Sequence, residues 1–168
     1  IPVLVLGQND QLAWTFTSIM ADDTDFFIEQ VDPLDKSRYV ADSLSDSTAV
    51  FETFEIERQI LKVKDGDQRL LEIRHTDHGP VISDIYPNQN LIGDQVISMQ
   101  WAGYDTTSNE LKSLYQMNWA ESFQDFQDAL AFFGVPGLNL MYGDRTGNIA
   151  MFSAGNIPIR DGDPITFR

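Results

Sequence analysis

The side chains of this sequence that could do chemistry fall mainly in three runs. GQNDQLAWTFTS, Gly7–Ser18, ends on a hydroxyl. Asp22-Asp23-Thr24-Asp25 sets three carboxylates within four residues. GVPGLNLMYGDRTGNIAMFSAGNIPIR, Gly134–Arg160, carries Asn139 and closes on a guanidinium. Hydrolysis of an amide builds negative charge on the carbonyl oxygen, and fixed donors aimed at that oxygen lower the barrier. Asn139, held between Leu138 and Leu140 on an expected strand, is suited to be such a donor. On residue type alone, an asparagine beside a turn reads as structural. The acidic run offers hard oxygen ligands of the kind Ca²⁺ gathers, six to eight at a time, although its spacing is not that of an EF-hand. Read from its residues alone, it is a solvated acidic loop between strands before it is a metal site. Ser18 lacks a G-x-S-x-G context and has no histidine close to it in sequence, so its hydroxyl reads as that of a strand-end serine. Arg160 could orient a neighbouring amide or meet a carboxylate through its planar fork, or form an ordinary surface ion pair. The two histidines, His75 and His78, sit together in RHTDHGPVI, Arg74–Ile82, and are too few for a multi-histidine metal site.

These residues need strands to hold them, and the pattern predicts mostly strands. Pro2–Leu6 and Leu12–Ile19 flank the turn signal Gly7–Asp10, so Val3–Ile19 is expected as a hairpin. Phe26–Val31 is a further strand, and Lys36–Ser47 has the character of loop and short strand. Phe51–Val63 reads as one strand, reversed at Lys64-Asp65-Gly66-Asp67, because Asp-Gly supplies the positive φ angles of a tight turn. Leu70–Arg74 returns, His78–Ile82 extends again, and Val96–Trp101 is strand-like. Helical spacing appears at Phe123, Phe126, Leu130 and Phe133, with Ser122 as N-cap, Asp125 three residues on, and Gly134 and Pro136 as the stop. Asn109–Met117 is expected as a shorter helix. Asn139 then falls on a strand followed by a tight turn at Asp144–Asn148 and a second strand. No internal repeat or linker interrupts the chain, so a single, mostly β domain is expected.

Composition narrows the function classes. A chain of 168 residues with 42% apolar content is long enough for a sizeable core. Eleven Lys and Arg against 26 Asp and Glu give a net charge of -15, which opposes binding to nucleic acid or to an anionic membrane surface. The acidity is spread along the chain, with no long block of like charge. There is no cysteine, hence no disulfide, thiolate metal site or thiol nucleophile. No apolar run reaches the ~20 residues of a membrane span.

In their order and approximate spacing, GQNDQLAWTFTS, RHTDHGPVI and the Asn139 run resemble the penicillin acylase (penicillin amidase) family of N-terminal-nucleophile hydrolases. The resemblance covers nearly all 168 residues and falls in the middle of that family's large (beta) chain. It implies an α+β, mostly β fold, part of a four-layer αββα sandwich. It also implies a precursor that cleaves itself to expose an N-terminal serine, which hydrolyses a linear amide through an acyl-enzyme. That serine is expected upstream of Ile1, so the 168 residues alone are expected to be inactive.

The family's oxyanion asparagine precedes a Tyr-x-Asp turn, which Asn139-Leu140-Met141-Tyr142-Gly143-Asp144 matches. The motif N-x-x-[IL]-x-W-G-x-T reads here as Asn9–Thr17, with Thr15 where glycine is common, and it assigns the second donor to the Ser18 backbone N–H. Arg160 closes the Ile-Pro-x-Arg signature, and His78 in His-Gly-Pro is expected to be structural. A calcium site of the intact enzyme maps to Asp22, Thr24 and Asp25. Expected partners are a small-molecule N-acyl substrate, the small (alpha) chain and the rest of the beta chain. The substrate could be a β-lactam side-chain amide, an acyl-homoserine lactone or another N-acyl compound. A periplasmic or secreted location and self-association of the isolated piece are also expected. Two other readings stand beside this one: a non-catalytic, calcium-binding β domain on the same scaffold, and a serine hydrolase pairing Ser18 with His78.

Overall fold

A computed structural model describes residues 3–43, 49–85, 94–104 and 107–160. In chain order their strands are β1 (Gly7–Gln8), β2 (Leu12–Ser18), β3 (Thr24–Gln30), β4 (Arg38–Ser43), β5 (Ala49–Thr53), β6 (Glu55–Leu61), β7 (Arg69–Thr76), β8 (Gly79–Pro80) and β9 (Gln95–Trp101). A 3₁₀ turn (Ala102–Tyr104), helices α1 (Glu110–Asn118) and α2 (Phe123–Leu130), and strands β10 (Leu138–Asp144) and β11 (Ile149–Ala154) follow. The architecture is mostly β with two helices, as expected. The described residues divide into two compact units, one drawn from 3–23 and 102–160 and the other from 24–101. Among the described residues no helix is long and apolar enough to cross a membrane.

The first unit is an antiparallel sheet in the order β1-β2-β10-β11, covered on one face by α1 and α2. Strand alternation explains which face is covered. Leu12 and Trp14 of β2, with Leu138, Leu140 and Tyr142 of β10, point to one side. There they enclose Met117, Phe126, Ala129 and Leu130 from the helices. Phe126 is fully buried and sits 5.1 Å, ring to ring, from Tyr142. Both helices start where a side chain caps them. Ser122 Oγ accepts the Asp125 N–H, and Asn109 Oδ1 accepts the Lys112 N–H. The opposite face of the sheet carries Thr15, Thr17, Asn139, Met141, Met151 and Ser153, and no helix among the described residues covers it.

The second unit is built from smaller ladders, β3-β9, β4-β5 and β6-β7-β8, around Val31, Tyr39, Phe54, Val81 and Val96. Its notable polar feature lies on β3. Glu29 is buried and accepts from Ser98 Oγ (2.6 Å), His78 Nδ1 (2.8 Å) and Thr76 Oγ1 (3.0 Å). A carboxylate can only accept, so Nδ1 carries the hydrogen. The other face of the His78 bond is packing: its ring stacks on Phe27 at 3.7 Å and 5°.

Two sequence expectations are corrected. Val3–Leu6 is not a strand, and β1 pairs only Gly7 with Trp14 and Gln8 with Ala13. The segment is held by side chains instead, since Trp14 Nε1 donates to the Val5 carbonyl and Asn118 brackets both backbone groups of Leu4. Phe51–Val63 is not one strand but two, β5 and β6, broken at Phe54. That ring is buried, and its N–H turns to the Ser37 carbonyl. Of Lys36–Ser47, the part after Ser43 lies outside the described residues.

Candidate active site

Asn139 sits on an interior strand, opposite Thr17 of β2 on one side and Ser153 of β11 on the other. The three form a polar row across the face of the sheet that the helices leave uncovered. In an antiparallel pair, residues alternate between positions that exchange backbone hydrogen bonds and positions whose side chains come closer. Asp144 N donates to the Asn148 carbonyl, and counting back along the ladder makes Asn139 and Ser153 a pair of the second kind. Their side chains meet accordingly: Ser153 Oγ donates to Asn139 Oδ1 at 2.9 Å. With its oxygen held toward β11, the amide keeps its NH₂ for another acceptor.

The same counting fixes Ser18. Ile19 N donates to the Gly137 carbonyl, so Thr17 and Ile19 bond toward β10, whereas the Ser18 N–H points the other way. On that side β1 pairs β2 only at Ala13 and Trp14. The edge of β2 at Phe16–Ser18 therefore has no strand partner among the described residues. A backbone donor at that edge and a side-chain amide on the adjoining strand lie one residue apart in register. The Ser18 hydroxyl is exposed and accepts the Met20 N–H at 3.2 Å.

The spacings within these runs are explained by what holds this pair of donors. Asn9 Oδ1 accepts the N–H groups of Gln11 and Leu12, and its Nδ2 donates to the carbonyls of Asn118 and Ala120, tying the start of β2 to the end of α1. Leu12 and Trp14 are then core anchors. Tyr142 Oη donates to Asp144 Oδ2 (2.9 Å). The other oxygen of Asp144 accepts from Thr146 Oγ1 and from the Thr146 and Asn148 N–H groups, closing the turn after Asn139's strand. The hydroxyl and amide donors of Thr146 and Asn148 hold the Asp144 carboxyl far below the usual carboxylate range, and burial pushes the Tyr142 hydroxyl up to about 12. Before β10, Glu110 Oε1 accepts the Gly134 and Val135 N–H groups, both at 3.1 Å.

Other residues of interest stand as follows. Arg160 Nη2 donates to the Asp22 carbonyl at 3.1 Å and lies 3.6 Å from its carboxylate. Thr24 and Asp25 open β3 of the second unit, opposite Trp101 and Gln100. Among the described residues no group of three or more Asp, Glu or His side chains is gathered to hold a metal ion. His78 is engaged by Glu29 within the second unit, and His75 Nε2 lies 3.2 Å from Glu57. Among the aromatic residues of β2 and β3, Trp14 is core and Phe27 is the stacking partner of His78. Ser153 and Glu29 were not singled out by sequence. For Ser153 a signal existed, because counting across the Asp144–Asn148 turn places it opposite Asn139.

Asn139 thus stands on the uncovered face of the first unit's sheet and the Ser18 N–H at the edge of β2, one residue apart in register. The chain belongs to the penicillin amidase family, whose model matches residues 1–167. It is 26% identical over 164 residues to the acyl-homoserine lactone acylase PvdQ of Pseudomonas fluorescens (strain Pf0-1), covering 94% of this chain and 20% of that protein. PvdQ of Pseudomonas putida is 27% identical over 169 residues, at 96% and 20% coverage. In structure the chain is similar to a thermostable penicillin G acylase from Alcaligenes faecalis, with a TM-score of 0.71 and 22% identity, covering 92% of this chain and 26% of that one. The chain spans about a fifth of the length of the curated relatives it matches.

Proposed function

We propose that these residues form the oxyanion-binding part of an amidohydrolase that cleaves linear N-acyl amides, with the attacking N-terminal serine supplied elsewhere in a longer polypeptide. The observation that carries this reading is the Asn139 amide, its oxygen held by Ser153 and its NH₂ left for an acceptor, beside the edge-directed Ser18 N–H. The serine Oγ attacks the carbonyl carbon, and its proton passes to the serine's own α-amine. Negative charge moves to the carbonyl oxygen, where the Asn139 NH₂ and Ser18 N–H donate to it. Collapse breaks the C–N bond, and the amine leaves with the proton. Water then attacks the ester, passes through a second tetrahedral intermediate on the same donors, and releases the acid and the free serine.

The 168 residues alone are inactive in this reading. The small chain and the remaining large-chain segments cover the open face and edge of the first unit. Calcium is proposed at Asp22, Thr24 and Asp25 on the strength of their oxygen donors. Arg160 already occupies the Asp22 side, so the ion has to share or displace that contact. A periplasmic or secreted location is part of the same proposal. The test is Asn139→Ala in the complete, self-processed protein, assayed by 4-nitroaniline release from N-acyl 4-nitroanilides. Turnover is expected to fall ~100- to 1000-fold with the fold retained. Unchanged turnover removes Asn139 from the site and with it this reading.

A further inference from the structure

We infer that Ser153 is a positioning residue for the oxyanion donor: its hydroxyl ties the Asn139 amide down on the face of the sheet. This rests on the reading of Asn139 given above and deepens it, by giving its bonded neighbour a measurable part in turnover. A side-chain amide has a donor end and an acceptor end of almost the same shape. Rotation by half a turn about its last bond would present Oδ1 to the oxyanion, an acceptor against a developing negative charge. A catalytic asparagine therefore needs a neighbour that holds its amide against turning.

Ser153 is placed to do so. It stands directly across from Asn139 in the class of antiparallel pair whose side chains approach most closely, and its Oγ lies 2.9 Å from Oδ1. The short turn between the two strands fixes that register, and the Asp144 carboxylate closes the turn with bonds to Thr146 and Asn148. On the other side of Asn139 stands Thr17, whose strand takes up the Asn139 backbone bonds. Ser153 is exposed and belongs to no core cluster, so the hydroxyl is not explained by packing.

The experiment is a double-mutant cycle in the complete, self-processed protein, with kcat and KM measured on an N-acyl 4-nitroanilide. Ser153→Ala is expected to lower kcat about tenfold, part of the loss from removing the donor outright, with KM little changed. Ser153→Thr keeps the hydroxyl and should retain most of kcat. Ser153→Ala placed on Asn139→Ala should cost nothing further, because Ser153 acts through the amide alone. Thermal unfolding of each variant separates loss of fold from loss of orientation. If Asn139→Ala collapses turnover while Ser153→Ala matches the parent, or if the two losses multiply, Ser153 does not position the amide. If Asn139→Ala itself leaves turnover intact, the failure lies with the oxyanion reading.

Discussion

Gly155 packs so closely on Gly137 that a Cβ at Gly155 would lie 2.7 Å from the Gly137 Cα. Gly155 also has φ +140, a conformation that side-chain-bearing residues rarely adopt. This contact joins the exit of β11 to the loop that feeds β10, where the Asn156 N–H donates to the Gly134 carbonyl at 2.7 Å. Asn139 begins two residues after Gly137, so the close approach sets where its strand starts.

Gly155→Ala is therefore expected to destabilise the protein by about 1–3 kcal/mol through overpacking, with backbone strain added. Urea unfolding checks the stability. In the complete protein, kcat should fall more than the stability loss explains, because the Asn139 strand is displaced at its root.

The Asp144 turn gives a pH dependence with a definite sign. Its carboxyl is held well below its ordinary value of 3.8 by the Thr146 and Asn148 donors. A group whose folded-state pKa is depressed contributes stability above its unfolded pKa and loses it as pH falls. Stability from this turn should thus be constant above about pH 5 and decline below pH ~4. Asp144→Asn should lower the melting temperature at pH 6 and flatten its dependence between pH 5 and 3. An unchanged acid slope in the variant would mean other carboxylates govern it.

Glu29 shows where sequence patterns stop being legible. In Phe27-Ile28-Glu29-Gln30 it reads as a solvent position of a strand, yet it is 5% exposed and gathers three donors from β7, β9 and His78. Those donors lie 47 to 69 residues away along the chain, beyond any local periodicity. By contrast, the Ser122 cap and the strand of Asn139 were readable because short-range bonds determine them. The chain also reverses at Asp-Gly, but through a loop over 62–68 in which Asp65 and not Gly66 has positive φ. The break at Phe54 was not, since β5 and β6 keep strand composition on both sides and only the buried ring marks the corner. The candidate site was legible as residue types at a familiar spacing. Its orientation was not, because the direction of the Ser18 N–H and the partner of Asn139 depend on ladder register.

Removing the Glu29 carboxylate strands buried partners. Glu29→Ala should cost about 1–3 kcal/mol for the groups left without an acceptor, measured by chemical denaturation. His78→Ala, which removes a half-exposed donor and leaves two in place, should cost less. Equal losses would show that the stack on Phe27, not the buried acceptor, holds this corner.

The uncovered side of the first unit leads to a prediction about the chain in isolation. Met141 is 50% exposed, Met151 65% and Ile149 87%, on a face bordered by the unpaired edge of β2. Apolar surface beside an open edge invites pairing with another copy. The isolated 168 residues should sediment as dimers or larger species, and Met151→Lys should shift them toward monomer. If other segments of a longer polypeptide cover the face, as proposed, that protein should be indifferent to its own concentration. Monomers of these 168 residues at high concentration would show that the face is satisfied within them.

Calcium makes the last contrast. Arg160 bonds the Asp22 carbonyl and sits near its exposed carboxylate, and an exposed pair of this kind is worth little by itself. A calcium ion on Asp22, Thr24 and Asp25 would contribute through mass action, about 2.7 kcal/mol when present at a hundred times its dissociation constant. Adding calcium to the chelator-treated complete protein should then raise its melting temperature, and Asp25→Asn should remove most of that rise. Magnesium should substitute poorly, because it demands a tighter octahedron than a loop of two carboxylates and a carbonyl provides. Arg160→Gln separates the two roles of the arginine. If the guanidinium and the ion compete for Asp22, the variant binds calcium more tightly. If they share it, calcium binding is unchanged and stability without calcium falls. A melting temperature indifferent to calcium in every variant would leave Arg160 as the cation of this loop.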